Sequence, residues 1–519
     1  MHWADVVAEQ LLQHNQAHVL ATAITPSGPI HVGNMREVLT TEAVYRALVD
    51  RGGHAELIYI GDTFDPLRKV YPFLSDDYQQ YVGMPLSEIP CPCGRHESYA
   101  HHFLSPFLES LEELGVHPTV YLAHELYGEG RYHQAIRRAL DGADTVRAIL
   151  SEVSSRDLSS SWVPFTVRCP SCGKLQGEVV DYRYPSVRYR CPSCREEGEV
   201  DLRQGGVGKL PWRVDWPARW SMFGVTFEAF GKDHAAAGSS WDTGQRIVRE
   251  VYGREPPTPL VYEFIHLKGK GAMHGSTGTA VAAEDMLAIT PPEVLRFLLM
   301  KTEPSRHIDF DTGFGLLDLV DEYDRYERIV FGLEEEQAGV KEAERIYWLS
   351  QPHPRAAHVM SAQVPYRHLV TIVQIARDWD QVKEILRRNG EIGELSAYEE
   401  GKLRERVDKV SHWLDRFAPE SVKFEVQDSL PDIEVSGEMR AFFVSLAAAL
   451  GEQPWDAEAI HQTIHAVAQE QGMPAGRAFR YLYLIVLGQT KGPRAGYFIH
   501  SLGREFMLER LAAAAKAGA

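Results

Sequence analysis

Three stretches of the chain carry residue types at spacings that do chemistry. The first is "TPSGPIHVGN", Thr25 to Asn34. Gly28 and Gly33 let a backbone approach a ligand closely, the helical pattern that follows points its N-terminus at that ligand, and His31 with Asn34 offers polar groups one turn apart. This is the makeup of a nucleotide-phosphate cradle, although glycine spacing alone equally describes a βα turn capped by Asn34. The second is Cys169, Cys172, Cys191 and Cys194, two C-x₂-C pairs separated by the 18 residues 173–190. Four thiolates so placed close a tetrahedral zinc site, and with no open coordination position its role is structural. The third, "LKGKGAMHGSTGTAV" (Leu267 to Val281), is built like a phosphate-holding loop from Gly269, Gly271, Gly275 and Gly278 with small hydroxyl residues, yet its last lysine is Lys270. A weaker group lies in "CPCGRHESYAHH": Cys91 and Cys93 either complete a second zinc site with His96, His101 or His102, or are free thiols in a loop.

The elements that must position these residues read as α/β. "HVLATAI" is a short apolar run ending at the first motif, a helical pattern runs from Met35 to Asp50, and "HAELIYIGD" supplies a second strand, together a βαβ unit with its functional end at the strand C-termini. The pattern turns irregular over 87–208, returns to strands at "TFEAFG" and "LVYEFIHL", and becomes almost wholly helical after about Asp309. The expected division is therefore 1–86 and 209–308 as two halves of one α/β domain, 87–208 as an insertion, and 309–519 as a helical domain. The 519 residues, 44% of them hydrophobic, suffice for several cores. A net charge of −18 argues against non-specific coating of nucleic acid but permits a local basic face. No apolar window of membrane-spanning length occurs and the first residues read as an amphipathic helix, which points to a cytoplasmic location without membrane contact and favours metal over disulfides for the paired cysteines.

The ordered P-S-G-x-x-H-x-G-N combination resembles the ATP-binding signature of class I aminoacyl-tRNA synthetases. "GDTFDPLRKVYPFL" (Gly61 to Leu74), "PWRVDWPARWSMFGVTFEAFGKDHAAAGSSWDTG" (Pro211 to Gly244) and "IDFDTGFGLLDLVDEYDRYE" (Ile308 to Glu327) look like successive blocks of the class I lysyl-tRNA synthetases, and "GQTKGPRAGYFIHSLGREFMLERL" (Gly488 to Leu511) is similar to bacterial members. The resemblance implies a Rossmann-type parallel-sheet catalytic domain with a zinc-ribbon insertion, followed by an α-helical anticodon-binding domain. It implies activation of L-lysine with ATP and Mg²⁺, transfer to tRNA(Lys), and Zn²⁺ in the ribbon. Residue by residue, it implies that Pro26, Ser27, Gly28, His31, Gly33 and Asn34 hold ATP together with Met273, Gly275, Ser276 and Thr277. His31, Asn34, Lys270 and Ser276 then take the catalytic roles. Ala23, Thr25, Trp212, His234 and Tyr262 line the lysine pocket, with Asp215 and Asp233 as candidate anionic partners for the lysine amines. "EILRRNG", "RAFRYLYLI" and "KGPRAGYF" mix cations with aromatics, and the resemblance makes them candidates for anticodon contact.

The chain departs from the family pattern in the third stretch. Where the family has roughly K-M-S-x-S-K-G, alignment on Met273 gives Ala272, His274, Gly275, Ser276, Thr277 and Gly278, so both lysines are missing; Ala23 also stands where a glycine is usual. Either Lys268 or Lys270 stands in as the cation, or the chain is a paralogue that is a non-catalytic RNA-binding or regulatory protein, or that activates lysine or a related amino acid for another acceptor. Retention of every other block makes a working synthetase the expectation.

Overall fold

Strand β1 (Ala17–Ile24) is buried along most of its length and pairs in parallel with β2 (His54–Gly61) over eight positions, from Ala17 opposite His54 to Ile24 opposite Gly61. A parallel pair needs a crossover, and the helix Val32–Asp50 supplies it. In the computed structural model, which describes residues 1–268, 271–272 (backbone only), 281–335, 342–353 and 359–517, this unit is the centre of a five-stranded parallel sheet. Strand β3 (Thr119–Leu122) lies outside β2, and Phe227–Gly231 followed by Thr258–Tyr262 lie on the other side of β1. The strand order reverses direction at β1, and the crevice at the carboxyl end of such a switch point is where ligands bind in open α/β sheets. β3 falls inside the stretch read as an insertion. Its four residues, "TVYL", are too few to show a period, so only pairing of Ile58 with Thr119 and Gly61 with Leu122 assigns them to the sheet.

A second, antiparallel sheet of five strands carries both C-x₂-C pairs. Its order is Glu197–Asp201, Ser186–Arg190, Leu175–Arg183, Thr166–Arg168 and Gly208–Lys209. The two cysteine turns repeat one geometry. Gly173 N–H donates to the Cys169 carbonyl at 2.8 Å and Arg195 N–H to the Cys191 carbonyl at 2.8 Å, and Gly173 and Arg195 both take positive φ, 71° and 66°.

Two compact units result: Met1–Leu287 with Pro292–Phe310 and Glu335–Ala357, and Ala288–Pro291 with Asp311–Glu334 and His358–Ala519. The segment 342–353, read from sequence as part of the helical domain, belongs to the first unit. Buried Arg296 explains this: its guanidinium donates to the Leu349 carbonyl at 2.7 and 3.1 Å, to the Leu114 carbonyl at 3.1 Å and to the Glu42 carboxylate at 2.7 Å. The chain also returns close against Gly115, where a Cβ would sit 2.0 Å from the Pro352 carbonyl oxygen at φ +68°. Only glycine is accommodated there.

Among its described residues the second unit is helical. Phe442, Phe443, Leu446, Ile460, Ile464, Leu482, Ile485, Phe498 and Leu511 form one of its apolar cores. Elsewhere in that unit the helix Ala397–Arg416 is tied to the helix Phe314–Val330 by a buried bidentate pair, Arg406 donating to Asp324 at 2.9 and 2.6 Å. Removing one partner of such a pair strands the other charge. Arg406→Leu is expected to destabilise this unit by about 3–5 kcal/mol, while Arg406→Leu combined with Asp324→Leu recovers most of the loss; denaturant melts of the two variants against wild type measure the difference.

Candidate active site at the carboxyl ends of the parallel strands

The first motif leaves β1 at Ile24 and enters the helix Val32–Asp50 at His31. His31 is the N-cap: its Nδ1 accepts from Gly33 N–H at 3.1 Å, and the Asn34 side-chain oxygen accepts from His31 N–H at 3.2 Å. The two residues read as phosphate ligands therefore hold each other through a reciprocal cap, which satisfies two otherwise unpaired donors of the helix start. The cap also sets the histidine tautomer. With Nδ1 accepting, the neutral ring carries its proton on Nε2 and presents a donor. Gly33 makes this possible, because a Cβ there would lie 2.8 Å from two atoms of the His31 ring. Pro26 and Gly28 are buried in the turn, and Ser27 is held by Tyr99, whose hydroxyl donates to the Ser27 carbonyl at 2.7 Å. The far end of the glycine-rich third stretch returns here: His31 forms an isolated bridge with Ala282, and Ala283 N–H donates to the Ile30 carbonyl at 3.2 Å. Lys270, Met273, Gly275, Ser276 and Thr277 themselves lie outside the described residues.

One turn into the same helix stands a carboxylate that sequence reasoning passed over. Glu37 accepts from Thr22 Oγ1 at 2.9 Å and Ala23 N–H at 3.0 Å with one oxygen, and from the Tyr262 hydroxyl at 3.1 Å with the other. Burial raises its carboxyl to about 7, those three donors work the other way, and the neighbouring charge of Asp233 adds to the rise. Its spacing three residues after Asn34 places it on the face of the capping pair, the one signal in the sequence that could have singled it out.

Trp212, Trp216 and His234 form an aromatic wall, and Asp233, next to His234 in the chain, is the residue whose charge reaches Glu37. Trp212 opens the helix Trp212–Phe223 and stacks on Trp216 at 5.3 Å and 15°, while the His234 ring lies 6.0 Å from Trp212 and 5.6 Å from Trp216. Burial lowers the His234 pKa, opposed by Asp233, so the ring is neutral near pH 7. Asp233 is exposed, with its carboxylate 3.9 Å from His234. Behind the wall, buried Glu228 accepts from the indole N–H groups of Trp216 at 2.9 Å and Trp220 at 2.6 Å.

Asp215 corrects the sequence reading. It is fully buried, bonded to Lys209 and to Arg219 at 2.9 Å, and so is not presented to a ligand. Burial alone would raise its carboxyl, but Arg219 and then Lys209 hold it down at about 2. Arg219 also grips Asp62, and Lys209 lies 3.3 Å from Asp65, which accepts from the Thr25 hydroxyl at 3.1 Å. Thr25 is thus fixed by this network, while Ala23 and Tyr262 are joined to Glu37.

Two clusters have metal-ligand geometry. The sulfurs of Cys169 and Cys194 are 3.6 Å apart, those of Cys172 and Cys191 3.7 Å, and the four group together. The second cluster is Cys91, Cys93, His96 and His102, whose six mutual ligand-atom distances run from 3.3 to 3.6 Å. Four N and S ligands about 2.0–2.3 Å from one ion at tetrahedral angles stand about 3.3–3.8 Å apart, so both sets fit zinc. The choice among the three histidines is decided by the helix Tyr99–Glu113: His101 Nδ1 lies 3.0 Å from Oγ of Ser98, the N-cap, whereas His102 turns to the cysteines.

The fold is an open parallel α/β sheet with a capped helix at its switch point, the architecture of nucleotide-binding scaffolds, in a chain that continues into a helical unit. Residues 1–353 match the family described as tRNA synthetases class I (K), and residues 420–515 match an anticodon binding domain. The chain is 46% identical to a lysine–tRNA ligase of Methanosarcina barkeri, with 98% of this chain and 97% of that protein covered. It is 44% identical to a lysine–tRNA ligase of Archaeoglobus fulgidus, with 99% and 100% covered, and 42% identical to one of Methanocaldococcus jannaschii, with 98% and 99% covered. The chain belongs to the class I (K) family of tRNA synthetases.

The Glu228 carboxyl, raised to about 8 by burial against its two indole donors, makes stability depend on pH. The folded state holds this proton more tightly than the unfolded chain, where the group ionises near 4.5, so its contribution is full below that value and is lost as pH rises towards 8. The slope within that window is at most about 1.4 kcal/mol per pH unit. The melting temperature of wild type is expected to fall between pH 5 and 8 more steeply than that of Glu228→Gln, as scanning fluorimetry across that range would register.

Proposed function

We propose that this chain is a lysine–tRNA ligase of class I type, which condenses L-lysine with ATP and passes the lysyl group to tRNA(Lys). The observation that supports the reading is that one helix at the switch point carries both the His31–Asn34 cap and the carboxylate of Glu37, which is bonded to Tyr262 and lies within reach of the charge of Asp233, next in the chain to the His234 ring of the aromatic wall. A cation with a four-carbon stem matches that wall and that charge. The carboxylate of lysine attacks the α-phosphorus of ATP, the bond to the bridging oxygen breaks, and lysyl-adenylate and pyrophosphate form. A terminal ribose hydroxyl of the tRNA then attacks the acyl carbon, losing its proton as AMP departs.

The protein's part is positioning and electrostatics. His31 Nε2–H and the helix start donate to phosphate oxygens, with Asn34 holding the cap that orients the ring; Pro26, Ser27, Gly28 and Gly33 shape the turn around the nucleotide. Glu37 takes an ammonium group of lysine, Tyr262 and Thr22 orient that carboxylate, and Trp212 with His234 covers the stem beside Asp233. Mg²⁺ supplies charge neutralisation on the phosphates. Lys270, two residues before the position where the family places its first lysine, is given the role of cation for departing pyrophosphate, and Ser276 and Thr277 that of hydroxyl donors to the phosphates. The region 309–519 carries anticodon recognition. Among the described residues no helix is long and apolar enough to cross a membrane, consistent with work in the cytoplasm.

ATP–pyrophosphate exchange with tRNA present, run over a panel of amino acids, tests the reading: lysine alone is expected to support exchange, and a wild type indifferent to lysine refutes it. Because Glu37 must ionise to pair with an ammonium, the KM for lysine is expected to fall as pH rises from 6 towards 7 and to level off above, by up to about tenfold per unit. Glu37→Gln is expected to raise that KM roughly 10- to 100-fold, from loss of a charged hydrogen bond, and to flatten its pH profile.

Both cysteine clusters are assigned zinc. Each would tie together turns that are separate in the local structure, so metal affinity and local folding are coupled. Metal analysis of chelator-free protein is expected to give about two zinc ions per chain, with one lost in Cys172→Ser and the other lost in His102→Ala; His101→Ala keeps both.

A further inference from the structure

The turn that follows β1 is tied to a part of the chain outside the parallel sheet. The Tyr99 hydroxyl donates to the Ser27 carbonyl at 2.7 Å, and among the described residues no other hydrogen bond reaches residues 26–29 from another element. We infer that Tyr99 is a positioning residue for the nucleotide: by holding the Ser27 carbonyl it aims the Gly28 N–H at the phosphates, and the cluster of Cys91, Cys93, His96 and His102 sets where its hydroxyl stands. The inference rests on the reading of residues 26–34 as the nucleotide cradle and goes beyond it by naming what holds that cradle in shape.

The Ser27–Gly28 peptide is trans, so its C=O and N–H point in opposite directions. A carbonyl drawn towards Tyr99 therefore turns the Gly28 N–H away from it. Gly28 is buried, and its N–H finds no acceptor among the described residues. A buried donor left without an acceptor is costly, and a phosphate oxygen of a bound nucleotide relieves that cost. Were the Ser27 carbonyl free to rotate, the same peptide could present its oxygen to the phosphates and repel them.

Tyr99 is well placed to hold a fixed position. It is fully buried at the start of the helix Tyr99–Glu113 and packs among Leu67, Tyr71, Leu86, Ile89 and Ala100. Its own N–H donates to the Ile89 carbonyl at 2.8 Å, just before Cys91, and His102 sits on the same helix. The cluster thus brackets Tyr99 along the chain, with Cys91, Cys93 and His96 before it and His102 after it. Joining these four ligand atoms on one ion pins the helix start to the segment that precedes it, and the hydroxyl with it. A cavity of about 520 Å³ is lined both by His96 and His102 of the cluster and by Pro29 and Ile30 of the turn. The two share that space, and the Tyr99 hydroxyl is the hydrogen bond that joins the helix bearing His102 to the turn.

Isothermal titration calorimetry of ATP with Mg²⁺ against the zinc-loaded full chain tests this. Tyr99→Phe keeps the ring in its packing and removes only the hydroxyl. It is expected to raise the Kd for ATP about three- to tenfold, with zinc content and far-UV circular dichroism unchanged. His102→Ala, which loses one zinc, is expected to raise Kd at least as much. Adding Tyr99→Phe to it then changes Kd by under about twofold, because the hydroxyl is already misplaced. His101→Ala, on the same helix but outside the cluster, is expected to bind ATP like wild type. In lysine-dependent exchange, Tyr99→Phe raises the KM for ATP while the KM for lysine stays put, a split that general loosening of the fold does not give. If Tyr99→Phe binds ATP as tightly as wild type, the positioning role is refuted even though lysine exchange proceeds. Effects of Tyr99→Phe and His102→Ala that multiply refute the link from the cluster through Tyr99. A wild type that binds ATP, is weakened by Tyr99→Phe and supports no lysine exchange upholds the positioning role and refutes the ligase reading instead.

Discussion

The first unit is organised around a buried charge network. Asp62 follows the end of β2, Asp65 holds Thr25 just beyond β1, Lys209 comes from the last strand of the cysteine-bearing sheet, and Asp215 and Arg219 come from the helix after it. Three carboxylates and two cations in a dry space are stable only when each is gripped by partners. The ends of two parallel strands, the ribbon and the helix of the aromatic wall are therefore fixed relative to one another. Thr25, Trp212 and the His31 turn inherit their positions from that network. Its members are structural because they are spent on each other, which is why Asp215, apt by type for a lysine ammonium, is unavailable to one.

One layer out from that network lies a carboxylate with hydrogen-bond donors but no ion pair. Glu37 has three donors but no cation, and its raised carboxyl marks a site that gains from a positive ligand. Glu228 is closed off by two indoles and supports the wall instead. The two carboxylates have similar shifts but differ in exposure, Glu37 being half-buried and Glu228 fully buried beneath its two indole partners.

The His31–Asn34 pair shows how one local structure serves folding and chemistry together. The cap stabilises a helix start and, by occupying Nδ1 as an acceptor, leaves the neutral ring with its proton on Nε2. Each of the two cysteine clusters likewise brings four ligand atoms within 4.8 Å of one another, a spacing that fits a tetrahedral ion.

Features encoded within a few residues or as a fixed period are legible before any fold is known. The strand–turn–helix at Thr25–Asn34, the C-x₂-C pairs, the helical character after residue 309 and the family blocks are all of that kind, because glycine freedom, ligand spacing and hydrophobic periodicity are local properties. The remaining features depend on contacts between residues far apart in the chain. β3 is four residues whose identity as a strand comes from pairing with β2, and segment 342–353 joins the first unit because Arg296 and Gly115 receive it. His102 was preferred to His101 by the rotation of one helix relative to the cysteines. Asp215 became a structural ion through partners four and six residues away and a third carboxylate more than 150 residues distant, while Glu37 became a pocket carboxylate through a tyrosine 225 residues away. The physical reason is the same in each case: a titratable group's role is set by desolvation and by which charges the fold brings within a few ångströms, and neither is a function of its sequence neighbours.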